Sequence, residues 1–124
     1  MPLLSKFFRG DEKLESCLVL DKAHVTQGAT GPHVAKIQLA LFILDTLMIN
    51  RSEIDGKNYG PSTAAAVLAY KKKRRIINHS YQTTEDNIVG KMTIASLDRE
   101  MSHYEAALVH RDLIGDPDAE VRPA

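Results

Sequence analysis

A short pattern occurs twice in this chain, and it constrains the fold more than any other feature of the sequence. In each copy a large apolar or aromatic residue precedes a glycine, and a threonine follows that glycine three residues later. The copies span residues 55–63 and 86–93, and their glycines, Gly60 and Gly90, lie 30 residues apart. A duplicated turn that leads into a helix indicates a small repeated binding fold. Neither copy carries a paired nucleophile and base or a set of metal ligands, so the pattern does not indicate an active site.

The composition predicts one compact domain with a modest core, since 124 residues with 44% hydrophobic content match the usual single-domain size. Lys plus Arg and Asp plus Glu both number 16, so the formal net charge is zero. A neutral chain has no overall attraction to nucleic acid or to an anionic membrane, and we expect neither as a partner. The single cysteine, Cys17, has no partner for an internal disulfide.

The N-terminal residues lack the apolar run and small-residue cleavage site of a secretory signal. The longest apolar stretch, residues 37–49, is interrupted by Gln38, Asp45 and Thr46 and falls short of the ~20 residues that cross a bilayer. We therefore expect a soluble protein that is cytoplasmic as synthesised. Action in the periplasm or beyond it would require a signal-independent route, such as a contractile secretion system.

The first half of the chain predicts an arm followed by a long helix. Within the arm, residues 1–24, one apolar cluster predicts a short helix or irregular segment, and the run 17–20 is compatible with a strand or a helical turn. Gly28 and Gly31 permit positive φ, and a helix is expected from Pro32 to about Met48. Its predicted buried face consists of Val34, Ile37, Leu41, Leu44 and Met48, and other apolar residues suggest burial on more than one side. We expect the amide of Gln38 on this helix to pair with loop backbone.

The second half predicts two further helices. One begins at Pro61, buries Ala66, Val67 and Tyr70, and continues into five cations at 71–75 that we expect to be mostly solvated. The other begins at Lys91 and extends to about residue 110. Residues 112–124 have little to bury and are expected to form a flexible tail.

As a set, these positions resemble the peptidoglycan-binding domain family found beside cell-wall hydrolases. The family pattern has a glycine-rich entry, a Val-x-x-Leu-Gln-x-x-Leu helix, and two Gly-x-x-Thr turns separated by an Ala-Val-x-x-Phe-Gln helix. The matching residues are Gly28, Gly31, Val34, Ile37, Gln38, Leu41, Asp55, Gly56, Tyr59, Gly60, Thr63, Ala66, Val67, Tyr70, Asn87, Val89, Gly90, Thr93 and Leu97. This chain departs from the pattern at Lys71, where the family has Gln, and at Arg75, where a glycine often stands.

The resemblance covers about residues 25–101 and implies a mostly α, compact three-helix fold. From the residues themselves we expect the domain to span 25–111, with the N-terminal arm packed on it and an extended C-terminal helix. It also implies a non-catalytic activity, adhesion to the glycan and stem peptides of the bacterial wall, without a cofactor. The Gly and Thr residues of both copies are expected to be structural, and Asp55-Gly56 and Asp86-Asn87 to form Asx-type turns.

The predicted ligand surface lies at the tip of the first copy. Asp55, Lys57, Asn58 and Tyr59 are expected to be exposed there, and Gln38 lies near the start of the first long helix. A phenol ring beside amide and ammonium groups suits acetylated sugars and peptide carboxylates. We therefore expect these five residues to contact a muropeptide.

Two other classes of function stay open. An adaptor module would keep the fold without wall binding and dock a hydrolase or secretion-effector protein through Tyr104, Leu108 and Leu113 on the third helix. An enzyme has the least support, because the sequence offers neither a zinc cage nor an activated Cys or Ser. No His pair has metal-ligand spacing, so no metal site is expected. The oligomeric state is left open.

Overall fold

Five α-helices and one short 3-10 turn make up the regular structure of the residues that the structure describes. The computed structural model describes residues 3–77 and 84–114, with side chains described as far as Val109. The helices are α1 (Glu12–Val19), α2 (Pro32–Asp45), α3 (Arg51–Gly56), α4 (Pro61–Arg74) and α5 (Lys91–Ile114), and the 3-10 turn is Asp21–Ala23. The described ranges contain no β-strand beyond two isolated bridges, so the mostly α prediction is confirmed. None of the described helices is long and apolar enough to cross a membrane.

The starts of the three long helices lie where the sequence predicts them. Pro32 and Pro61 occupy the first turns of α2 and α4, where a missing N–H removes no helical hydrogen bond. Gly31, immediately before α2, has φ 134°, which an L side chain rarely adopts. The end of α5 lies beyond the expected residue 110, at Ile114, so residues 112–114 are helical; the rest of the predicted tail lies outside the described residues.

Helix α2 is shorter and less buried than expected. It ends at Asp45 because Thr46 adopts the left-handed conformation, with φ 55°, and its N–H bonds the carbonyl oxygens of Leu41 and Phe42. Met48, predicted on the buried face, is 78% exposed. Leu39 and Phe42 are also about half exposed, although Ala40 is fully buried and Ile43 and Leu47 are partly buried against the core, so the helix is buried over a narrower surface than expected.

The sequence did not indicate helix α3, and this helix replaces the first predicted Asx turn. Asp55 and Gly56 are its last two residues, and the left-handed residue that ends it is Lys57, with φ 55°. The Asp55 carboxylate forms an exposed ion pair with Arg51 at 3.6 Å. The second predicted turn is present, since Asp86 Oδ1 accepts a hydrogen bond from the Ile88 N–H at 3.1 Å.

The N-terminal arm packs on α5 through two carboxylates. Asp98 accepts hydrogen bonds from the N–H groups of Leu4 and Ser5 at 2.9 and 2.8 Å. Glu105, two turns further along α5, accepts from the Lys6 N–H at 2.8 Å and from the Ser5 hydroxyl at 2.6 Å. The arm contributes Leu3 and Phe8, both fully buried, to the core. The rest of the fully buried apolar core comprises Leu14, Cys17, Val34, Ile37, Ala40, Leu41, Val67, Tyr70, Val89, Ile94 and Leu97.

Arg74 joins α2, α4 and α5 at one end of the core. Its guanidinium donates two hydrogen bonds to the Asp45 carboxylate, at 2.6 and 2.8 Å, and others to Glu100. The same guanidinium lies 3.7 Å from the centre of the Tyr70 ring. Hydrogen bonds from Arg74 hold the pKa of Asp45 and of Glu100 below their usual values. The expected solvated run is therefore only partly solvated: Lys71 is buried, Arg74 is half-buried, and the other three cations are exposed.

Candidate functional site

The two copies of the repeated turn meet at one short segment, residues 25–30. Tyr59 of the first copy exchanges backbone hydrogen bonds with Gly28 and Ala29, each at 2.8 Å. Val89 of the second copy exchanges a pair with Val25, also at 2.8 Å. The residue before each glycine therefore forms a pair of backbone hydrogen bonds with the same segment of chain. The two copies are thus similar in their structural contacts as well as in sequence.

The structure divides the five predicted ligand residues. Asp55, Lys57 and Asn58 are exposed at the tip of the first copy, as expected. Tyr59 is only 1% exposed, and its hydroxyl donates a hydrogen bond to the Asn87 carbonyl of the second copy. The expectation that the phenol ring lies at the surface is wrong, because the ring belongs to the core. The equivalent position in the second copy is Val89, a wholly apolar residue. This equivalence is the sequence signal from which the burial of Tyr59 could have been predicted.

Gln38 is also buried, at 1% exposure, and its amide holds the first turn in place. The amide nitrogen donates to the Asn58 carbonyl at 2.9 Å and to the Thr63 hydroxyl at 3.0 Å. The predicted pairing of this amide with loop backbone is confirmed. A side chain enclosed in this way has no surface to offer a ligand.

A residue absent from the sequence prediction, Glu53, closes the start of α4. Its carboxylate accepts hydrogen bonds from the N–H groups of Gly60, Ser62 and Thr63 at 3.1, 2.9 and 2.8 Å, and from the Thr63 hydroxyl at 2.7 Å. Burial acts to raise the pKa of Glu53, but these hydrogen bonds outweigh it and lower the pKa to about 2. The N-terminal amides of α4 are thus satisfied by a side chain of α3.

The second copy is held by Lys71 instead of an amide. The Lys71 ammonium is buried and donates to the Ile88 carbonyl at 2.8 Å, and it also pairs with the Asp86 carboxylate. Ile88 stands immediately before Val89, as Asn58 stands before Tyr59. Lys71 therefore does for the second turn what Gln38 does for the first.

A cleft of about 830 Å³ opens beside this second turn. Among the described residues, three stretches of chain line it: the 3-10 turn with His24, the end of α4 with Ile76, and the turn that leads into α5. Its lining residues are Asp21, Lys22, His24, Lys71, Ile76, Asp86, Ile88, Gly90, Lys91, Met92 and Thr93. A cavity of this size accommodates a small ligand. None of the five predicted ligand residues lines it, and because its residues are distant in the sequence, no local motif indicates it.

The cleft carries charges of both signs on an apolar base. Lys71 and Ile76 are buried at its deep side, whereas Asp21, Lys22 and Lys91 are exposed at its outer edge. Lys91 pairs with Asp21 at 3.2 Å, and both side chains are well exposed, so this ion pair contributes little and opens easily. Two outer ammonium groups are therefore accessible to a bound anion.

A second, smaller cleft of about 380 Å³ lies between α1 and the start of α2. The ring of His33 is buried there at 6% exposure, and burial, followed by the charge of Lys13, lowers its pKa. His24 lines both clefts. This cleft adds a buried imidazole, and its exposed charged groups, Glu12 and Lys13, are fewer than those of the larger cleft.

Groups with potential for metal or nucleophilic chemistry are not assembled in the described part of the chain. No set of three His, Cys, Asp or Glu side chains is placed there to hold a metal ion. Cys17 is fully buried, its thiol donates to the Val89 carbonyl at 3.3 Å, and burial raises its pKa to about 11. A thiol with that pKa is a poor nucleophile at neutral pH.

Comparison of this chain with family models, with curated proteins and with solved structures finds no match in any of the three. The candidate site therefore stands on its own geometry and on the pattern of the sequence.

Proposed function

We propose that this chain is a non-catalytic module that binds bacterial peptidoglycan, and that its ligand surface is the 830 Å³ cleft beside the second turn. The peptidoglycan-binding-like pattern of the sequence supports the wall as ligand. The observation that carries the choice of surface is the geometry of the two copies. Tyr59 of the first copy is buried, as is Gln38 of α2, which holds that copy in place, while the second copy borders an open cleft with accessible charges.

Chemical complementarity supports this proposal. Muropeptides combine carboxylates, amides and small apolar groups, and the cleft presents ammonium groups, carboxylates and the apolar side chains of Ile76, Ile88 and Met92. Its hydrogen-bonding groups are few, so a single module should bind weakly and depend on many wall sites for retention.

Sedimentation with purified sacculi tests the proposal, using two variants with the same change of charge. Lys91→Glu alters the cleft, and a glutamate in the first turn of α5 favours that helix, so the variant should stay folded. Lys57→Glu alters the exposed tip of the first copy. We expect Lys91→Glu to reduce the bound fraction about fivefold or more, and Lys57→Glu to change it by less than about twofold.

Each possible outcome of this experiment has a definite meaning. Binding by the unmodified protein no greater than that of an unrelated neutral protein would exclude wall recognition. Loss of binding in Lys57→Glu alone would show that the ligand binds at the tip of the first copy and not in the cleft. Release of soluble fragments from the sacculi would contradict a non-catalytic role.

A second candidate function, a protein-interaction or adaptor module, is favoured by the far part of α5. Tyr104, Leu108 and Val109 on that helix are 40%, 40% and 44% exposed. The side chain of Leu113, included in the same prediction, lies outside the described part of the chain. A hydrolase or secretion-effector protein is the proposed partner. Light scattering after size-exclusion chromatography is a first test, and a monomer that binds sacculi would argue against the adaptor.

A further inference from the structure

We infer that the cleft beside the second turn recognises the peptide part of the wall, through a free C-terminal carboxylate, and not the uncharged glycan. This inference rests on the proposed function, because it names the part of the wall polymer that the same cleft would take. It is carried by the arrangement of the lysines, by the apolar base of the cleft, and by the burial of Tyr59.

The cleft has two kinds of ammonium group. Lys71 is buried and already satisfied by the Asp86 carboxylate and the Ile88 carbonyl, so it shapes the cleft and is not available to a ligand. The Lys91 side chain is 44% exposed. Its one ion-pair partner among the described residues is Asp21, whose side chain is 94% exposed. Lys22, next to Asp21 in the 3-10 turn, makes no ion pair with any described residue. A carboxylate that approaches the outer edge therefore meets two available cations.

The apolar part of the cleft is small. Ile76 is 8% exposed, Ile88 is half-buried and Met92 is 49% exposed, and all three line the cleft. Together they offer a surface of the size of one or two methyl-bearing residues. A peptide that ends in alanine would place methyl groups on this surface and its carboxylate near Lys22 and Lys91.

An uncharged sugar would gain less from these groups. It has no charge for the lysines to neutralise, so its hydrogen bonds to the ammonium groups lack the attraction between opposite charges that a carboxylate adds. Tyr59, the aromatic ring predicted to contact an acetylated sugar, is buried beneath the first turn. The accessible features of the site thus favour an anionic peptide end.

Titration of the full chain, followed by amide NMR shifts, tests the inference with three probes. The first is a capped peptide ending in two D-alanines with a free carboxylate, the second is the same peptide amidated at its C-terminus, and the third is an uncharged N-acetylglucosamine oligomer. We expect the free peptide to shift the amides of residues 21–24 and 88–92. Amidation should weaken binding about fivefold or more, and the sugar should bind more weakly still.

Matched double variants separate a local charge effect from a general one. Lys22→Gln/Lys91→Gln removes two cations at the cleft, and Lys57→Gln/Lys72→Gln removes two exposed cations outside it. The first pair should weaken binding of the free peptide about fivefold and leave binding of the amidated peptide unchanged; the second should affect neither.

Two results would overturn the inference in a protein that still sediments with sacculi. One is equal affinity for the free and the amidated peptide, and the other is a sugar oligomer that binds as well as the free peptide. Failure to sediment with sacculi would instead contradict the proposed function itself. The two failures are therefore distinguishable.

Discussion

Gln38 and Lys71 perform the same task in the two halves of the fold. The side-chain nitrogen of each donates to a backbone carbonyl, that of Asn58 or of Ile88, at 2.9 and 2.8 Å. Each of those carbonyls belongs to the residue just before the buried residue of its own turn. An amide in one half and an ammonium in the other thus meet one structural requirement, and the ammonium brings a second partner, Asp86.

The two halves differ most at the helix that follows each turn. In the first half, Glu53 fills the space in front of α4 and satisfies its amides. In the second half, the first turn of α5 borders the open cleft. The two copies therefore differ: the Glu53 side chain occupies the space at the start of α4, whereas the start of α5 borders an open cleft.

Replacing Glu53 with Gln should destabilise the fold by roughly 2–3 kcal/mol at pH 7, because the carboxylate accepts four hydrogen bonds at 7% exposure. Its pKa is lowered from 4.5 to about 2, so its contribution is complete above pH 4.5 and is lost as the pH falls towards 2. The stability difference between protein and variant should therefore narrow over that range. Urea unfolding at pH 7 and pH 3 measures it. Asp55→Asn, on the same helix but exposed, should stay within about 0.5 kcal/mol.

Replacing Gly60 with Ala should destabilise the protein by about 1–3 kcal/mol, whereas Gly90→Ala should be nearly neutral. A Cβ at Gly60 would lie 2.6 Å from Cδ of Glu53, while a Cβ at Gly90 meets no atom within 4 Å. The two glycines are equivalent in sequence, so each variant is the control for the other. Thermal unfolding gives the comparison directly, and equal losses at both positions would contradict the role assigned to Glu53.

Replacing Arg75 with Gly should stabilise the protein by about 0.5–1 kcal/mol. Arg75 ends α4 with φ 55°, a conformation that glycine adopts without strain, and its side chain is exposed. The matched control is Lys72→Gly, inside the same helix and also exposed, which should cost about 1 kcal/mol. Chemical denaturation distinguishes the two. A loss of stability at Arg75 would mean that its side chain makes a contact of its own.

Replacing Arg74 with Met should cost about 3 kcal/mol or more, since it leaves Asp45 and Glu100 without their shared partner. Arg74→Lys should recover only part of this loss, because an ammonium cannot form two bidentate pairs. Lys73→Met is the control: its ammonium is 68% exposed and 3.5 Å from Asp45, so the change should be small. The denaturation midpoint should be lowest for Arg74→Met, higher for Arg74→Lys and highest for Lys73→Met.

The local signals in the sequence predicted the helix starts well. Pro32 and Pro61 mark the first turns of α2 and α4 through their own geometry, and Asp86 forms its turn with Ile88, two residues away. These features depend on neighbouring residues alone. The pairing of the Gln38 amide was predictable for a different reason, since a polar group among apolar positions needs a partner.

The features that the sequence did not reveal depend on contacts between distant residues. Helix α3 has only six residues, and it is fixed by the contacts of Glu53 with α4, not by apolar periodicity. The burial of Tyr59 depends on the segment that passes beneath it, and the cleft is assembled from residues as far apart as Asp21 and Lys91. Local spacing cannot encode any of these, so the sequence predicted neither the burial of Tyr59 nor the cleft.

The hydrogen bond from the Tyr59 hydroxyl to the Asn87 carbonyl affects how any mutational survey of this protein should be interpreted. Asn87 lies between Asp86 and Ile88, which both line the cleft. Tyr59 therefore supports one side of the cleft without lining the cleft itself. A Tyr59 substitution that weakens ligand binding would therefore imitate the loss of a direct contact. Pairing every such variant with a structural readout of the second turn would prevent a supporting residue from being mistaken for a binding one.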